Sequence, residues 1–177
     1  EKTGVYQGFT VDLIDMEVTK NLKEMGISQK DCQVSGVIDE EGNVIPDELT
    51  GSNSLLLVRF KIYNENGVGQ AGERYLLLNG AFQCKELLDK NIDSLPSVLL
   101  QPRGPEGKDV NRLYLDKKAI EENADRLFLG KGEEAIFTMG MMVRKEWLNK
   151  KSDARLILFP GNMDGGLVFQ ISEEDLL

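Results

Sequence analysis

The chain has 177 residues, with 30 acidic and 21 basic side chains, a formal net charge of −9 and no histidine. That length suits one domain able to bury about two-thirds of its unfolded surface, and a hydrophobic fraction of 41% argues against wholesale disorder. The charge balance opposes a phosphate backbone or an anionic membrane surface, and no apolar run approaches the ~18 residues of a membrane span, so nucleic acid and membrane insertion are not expected.

Two-residue alternation, broken by Gly, Asn and Asp, dominates the chain and predicts short antiparallel strands. In residues 5–18, Phe9, Val11 and Leu13 share one face, then Ile14, Met16 and Val18 take the opposite phase. This predicts a β-bulge near Ile14 and Asp15, or a strand that passes between sheets. Residues 19–30 fit a short helix or a continued strand, anchored by Leu22 and Met25. Residues 34–38 and 44–45 flank Asp39-Glu40-Glu41-Gly42-Asn43 and read as a hairpin with an acidic tip, ended by Pro46. Residues 54–63 form the clearest strand, with Leu56, Val58, Phe60 and Ile62 inward and Arg59, Lys61 and Tyr63 outward.

Residues 74–78 and 81–84 bracket Asn79-Gly80, a type I′ hairpin signature. Pro96, Pro102, Gly104, Pro105 and Gly107 make residues 85–112 a long irregular connection, and residues 116–126 read as a helix capped by Asp116. Residues 135–143 place Ala135, Phe137, Met139, Met141 and Val143 on one face. Residues 154–159 and 167–171 form a final strand pair, with Leu167, Phe169 and Ile171 inward, and the acidic tail from Glu173 frays. The expected fold is mainly β, a single domain over residues 1–177. It is a two-sheet antiparallel sandwich with an irregular or helical insertion at about 85–128.

Three stretches carry a resemblance: Ser54-Leu-Leu-Leu-Val-Arg-Phe-Lys-Ile-Tyr-Asn64, Tyr75-Leu-Leu-Leu-Asn-Gly-Ala-Phe82 and Leu129-Gly-Lys-Gly-Glu-Glu-Ala-Ile-Phe137. In them the chain resembles the immunoglobulin-like domains of secreted or lipid-anchored Gram-positive surface proteins. The resemblance implies an immunoglobulin-like sandwich in an extracellular or cell-surface setting, and carries over no functional residue. Trp147, the only tryptophan, lies outside the interval between the cysteines, unlike the core tryptophan of antibody-type domains. The start at Glu1 is consistent with a removed N-terminal leader and a lipid anchor, or with a trimmed chain.

Cys32 and Cys84 are candidates for a disulfide closing roughly fifty residues, contributing about 4 kcal/mol on the chain-entropy account. The alternative is two small buried thiols. Without histidine the chain has no Ser-His-Asp or Cys-His catalysis and no imidazole zinc site. No serine has lysine three residues on, and Gly104-Pro-Glu-Gly107-Lys108 lacks the spacing of a phosphate loop. Acids in turns allow calcium near residues 39–43 or 162–164 in principle, or paired-carboxylate hydrolysis, but neither turn has a calcium loop's spacing. Met139, Met141 and Met142 read as core. Tyr63, Tyr114 and Trp147 are the candidate ligand contacts. The expectation is an extracellular binding or structural module without catalysis or cofactor, its partner a protein or glycan at the cell surface. The alternatives are a carbohydrate- or peptide-binding domain using those aromatics, and a carboxylate-based hydrolase.

Overall fold

A computed structural model of the chain describes residues 2–32, 34–65, 76–103, 126–127, 129–161 and 165–177. The described residues form ten strands: β1 (Lys2–Tyr6), β2 (Phe9–Thr19), β3 (Ser54–Tyr63), β4 (Leu76–Leu77), β5 (Gly80–Gln83), β6 (Leu95–Arg103), β7 (Arg126–Leu127), β8 (Glu134–Val143), β9 (Arg155–Leu158) and β10 (Leu167–Gln170). One short helix, α1 (Lys85–Asp89), and five single 3-10 turns complete the described elements. Eight strands make one antiparallel sheet in the order β1-β2-β3-β8-β6-β5-β9-β10, and β4 pairs with β7 separately. The sheet is mainly β and nearly closed. Its end strands meet through side chains: Lys2 Nζ donates to the Gln170 carbonyl at 2.5 Å and pairs with Asp175 at 2.8 Å.

The alternation read from the sequence places the core. Phe9, Val11, Leu13 and Met16 of β2 point inward with Leu56, Val58, Phe60 and Ile62 of β3 and Phe137, Met139 and Met141 of β8. They meet Phe82, Trp147, Leu158, Phe159 and Phe169 from the other side of the sheet. Phe60 and Phe137 stack at 5.4 Å, and Phe60 meets Phe159 edge-on at 6.2 Å. A second, smaller cluster lies on the outer face, where residues 20–53 fold back so that Leu22, Ile27, Val37, Ile38 and Val44 cover Leu55, Leu57 and Leu99. The unbroken apolar run Leu55-Leu56-Leu57-Val58 is thus buried on both faces.

The bulge is present: the β2–β3 register shifts between Leu13 and Asp15, leaving Ile14 as the extra residue. The acidic-tipped turn also forms, with Ile38 bridging Val44 and Asn43 N–H donating to Asp39 Oδ1 at 2.8 Å. Residues 19–30 contain the end of β2 and two 3-10 turns. Tyr63-Asn64 and the glycine turn at 129–133, two of the stretches that carry the resemblance, are clamped together. Asn64 Nδ2 donates to the Leu129 carbonyl at 2.7 Å, and Gly132 N–H to the Asn64 carbonyl at 2.7 Å.

Three expectations are corrected. Asn79-Gly80 is no hairpin: β4 pairs with β7, whereas β5 pairs with β6 and β9. Gly80 serves close packing, since a Cβ there would run into Met139 Sδ. The connection at 85–112 contains α1 and β6, a strand paired with β8 from Ser97 to Arg103. Its prolines are tolerated because Pro96 precedes a register shift between Ser97 and Leu99, and Pro102 lies beyond the two residues paired with β5. The tail is docked, not frayed. A Ser172–Asp175 capping box holds its turn, and Leu177 N–H donates to the Met16 carbonyl at 3.0 Å. The helix expected at residues 116–126 and the loop at 104–108 lie outside the described residues, apart from Arg126 in β7.

Candidate functional site

The bulge decides what the outer face displays. Before it, Thr10 and Asp12 point outward; after it, the phase change turns Asp15 and Glu17 outward while Met16 enters the core. Cross-strand pairing sets Asp15 beside Arg59, Glu17 beside Leu57 and Arg59 beside Thr138 of β8. Arg59 donates to Asp15 Oδ2. Further along the face, Lys61 lies 3.7 Å from Asp12 and 3.9 Å from Glu134, and Thr3 Oγ1 donates to Asp12 at 2.7 Å. A lattice of opposite charges therefore runs over β1, β2, β3 and β8.

Where this lattice meets the cover formed by residues 20–53, a groove of about 340 Å³ opens. Asp15, Glu17, Arg59 and Thr138 line its polar side; Leu57, Ile27, Met25 and Leu177 line its apolar side. Leu57 packs over Gly140, where a Cβ would come within 3.4 Å of Leu57 Cδ2 and 3.1 Å of Leu99 Cβ. Met25 is 39% exposed and Leu177 is 89% exposed, so the apolar wall is open to solvent. Glu17 is exposed, and no ion pair to it forms among the described residues. The groove can hold a small group by one carboxylate and an aliphatic wall, on strands fixed by pairing on both sides.

Two other grooves offer less. One of about 560 Å³ lies where β1 faces β10, but its lysines are already paired, Lys2 with Asp175 and Lys150 with Glu174 at 2.5 Å. Another, of about 590 Å³, lies along residues 29–38 outside the regular sheet.

The aromatic candidates do not assemble. Trp147 is 1% exposed, stacks on Phe82 at 6.0 Å and donates Nε1–H to Glu86 Oε2 at 2.9 Å. Its polar neighbours Arg144, Lys145 and Glu146 hid this burial, because the 3-10 turn Lys145–Leu148 directs Trp147 and Leu148 inward. Tyr63 is half-buried at the opposite end of β8, beside Thr10 and Glu134, about 30 Å from the end that leads to Trp147. Tyr114 lies outside the described residues.

Of the two readings left open for Cys32 and Cys84, the structure has them as free thiols. They belong to different packing units: Cys84 sits in the main core and Cys32 against the outer cluster. Burial pushes both thiols up, with Asp31 adding to the effect at Cys32. Met139 and Met141 are core, and Met142 packs against the outer cluster. The carboxylate of Asp39 is occupied by Asn43, whose side chain and backbone hydrogen bonds hold it below the usual range. Thr50 does the same for Asp47. Among the described residues no group of three or more acids or cysteines is placed to hold a metal ion; residues 162–164 lie outside them.

Sequence reasoning missed the groove: the phase change that turns Asp15 and Glu17 outward and the apolar run at Leu55 are legible, but not that these faces meet residues 25–27 and Leu177. It also missed Glu86, whose carboxylate accepts from Lys90 at 2.9 Å, Arg144 at 3.1 Å and Trp147, and is held below its usual range by Lys90 first and Trp147 next. Those partners come from two separate segments, so no local pattern announces them. Comparison with protein-family models, with curated proteins and with solved structures finds no match.

Proposed function

We propose that this domain is a non-catalytic binding module of the extracellular, cell-surface kind, and that it makes contact through the outer-face groove between β2, β3 and residues 25–27. The observation that carries this is an exposed carboxylate, Glu17, beside an open aliphatic wall on three successive paired strands, β2, β3 and β8. The resemblance to immunoglobulin-like surface domains supports the setting; the free cysteines lend it nothing. We infer that the nearly closed sheet is flattened into two facing layers, as in a sandwich. The approach of Phe60 and Tyr6 to Phe159 from opposing sides, at 6.2 and 5.6 Å, supports that shape.

The test is nuclear magnetic resonance of the ¹⁵N-labelled protein against a library of small fragments and short peptides. Perturbations centred on Glu17, Leu57 and Thr138 are expected. Perturbations confined to other surfaces overturn the assignment, and turnover of chromogenic glycosides added to the protein overturns the non-catalytic reading.

A further inference from the structure

The identity of the groove's guest follows from its chemistry. Asp15 and Arg59 neutralise each other, so Arg59 does not present a free cation to an incoming anion. Glu17 remains as the charged side chain of the groove with no ion pair among the described residues. Beside it the lining is aliphatic and thioether, from Leu57, its cross-strand neighbour, and from Met25 and Leu177. A guest that matches must carry a positive head and an apolar stem, as lysine and arginine side chains do when they lay their methylenes on apolar surface and keep the charge at its rim. Met25 adds a wall that adapts to stem length. The whole chain carries −9, so its field draws cations toward the surface and repels anionic guests.

Building on the proposed binding role of this groove, we propose that its guest is a lysine or arginine side chain of a partner polypeptide, flanked by an apolar residue. The cation pairs with Glu17 and the stem lies on Leu57 and Met25.

Three acetylated, amidated tripeptides test this: Leu-Lys-Leu, Leu-norleucine-Leu and Leu-Glu-Leu, titrated into the ¹⁵N-labelled chain at low and high salt. The lysine peptide is expected to perturb Glu17, Leu57 and Arg59 and to bind about three- to five-fold tighter than the norleucine peptide, an advantage that salt erases. Glu17→Gln should remove that advantage and leave the melting temperature unchanged, since Glu17 is exposed. Equal or tighter binding of the norleucine or glutamate peptide at the groove overturns the cationic guest and leaves the groove as a binding surface. If none of the three perturbs the groove, the groove reading itself fails. If groove resonances shift on dilution of the protein alone, the occupant is a second copy and the proposal is overturned.

Discussion

Gly166 immediately precedes β10 and packs against the end of β9. Its φ is +86°, and a Cβ there would lie 2.6 Å from the Leu158 carbonyl oxygen and 3.2 Å from Ile157 Cγ2. Backbone cannot yield as a side-chain tip can, so Gly166→Ala combines a left-handed penalty with overpacking and should cost roughly 2–4 kcal/mol. Gly165 has a similar φ of +79° with nothing within 4 Å, and Gly165→Ala should cost only about 1–2 kcal/mol. Urea unfolding of both variants measures the difference; equal losses would show that the Leu158 carbonyl moves aside freely. Glu86 is organised differently. One carboxylate takes donors from Lys90 one turn along α1 and from Arg144 and Trp147 beyond β8, which fixes α1 against the core and satisfies the indole N–H. A tryptophan with that partner is structural, whatever the polarity of its chain neighbours.

At the scale of elements, the seam between β1 and β10 sets the sheet's weakest line. Gln7 and Gly8, with φ of 50° and 86°, make a two-residue turn, so Tyr6 and Phe9 are a hydrogen-bonded pair. By alternation, Thr3 and Val5 direct their backbone groups away from β2 and toward the seam. On β10, Ile171 N–H donates to the Ala154 carbonyl at 2.9 Å, which leaves Val168 and Gln170 facing the seam from the other side. The Gln170 carbonyl there accepts from the Lys2 ammonium. Hydrogen exchange should therefore be faster at the amides of Thr3, Val5, Val168 and Gln170 than at Gly4, Tyr6 and Phe169; equal protection would mean that a full ladder closes the sheet. Much of this element scale was legible in the sequence: the alternating inner faces of β2, β3 and β8, and the bulge at Ile14, follow from period and phase alone. The Asn79-Gly80 turn was misread because a turn dipeptide is a local preference, and pairing with β6 and β9 outweighs it. β6 was missed because Pro96 and Pro102 argue against a strand unless it is known that each is paired on one side only, Pro96 with β5 and Pro102 with β8. The groove was illegible for a related reason. Its walls come from β2, β3, β8, residues 25–27 and Leu177, and a sequence shows which residues face outward without showing which outward faces meet.

For the molecule as a whole, charge and titration pull in opposite directions as pH changes. At neutral pH the chain carries −9, and self-repulsion opposes the compact state. Lowering the pH toward 5 relieves part of that repulsion while the carboxylates in hydrogen bonds stay ionised. Glu86, Asp47, Asp39 and Asp153 are all held below their ordinary range, by Lys90, Thr50, Asn43 and Gln170 respectively as the leading partners. A carboxyl with a depressed folded pKa stabilises the fold above its unfolded value, about 3.9–4.3, and that contribution is lost as pH falls through the folded value. Cys32 and Cys84 act at the other end. Burial raises their folded pKa above the ordinary 9.0, so their stabilisation is present below about pH 9 and is lost as pH rises further. The melting temperature should therefore hold or rise from pH 7 to 5, fall below about pH 4, and fall again above about pH 9. Added salt at pH 7 should raise it by screening like charges. Calorimetry across pH 3 to 10 decides this. A melting temperature that climbs without a break down to pH 3 would mean that self-repulsion outweighs every carboxylate hydrogen bond in the fold, including the three donated to Glu86.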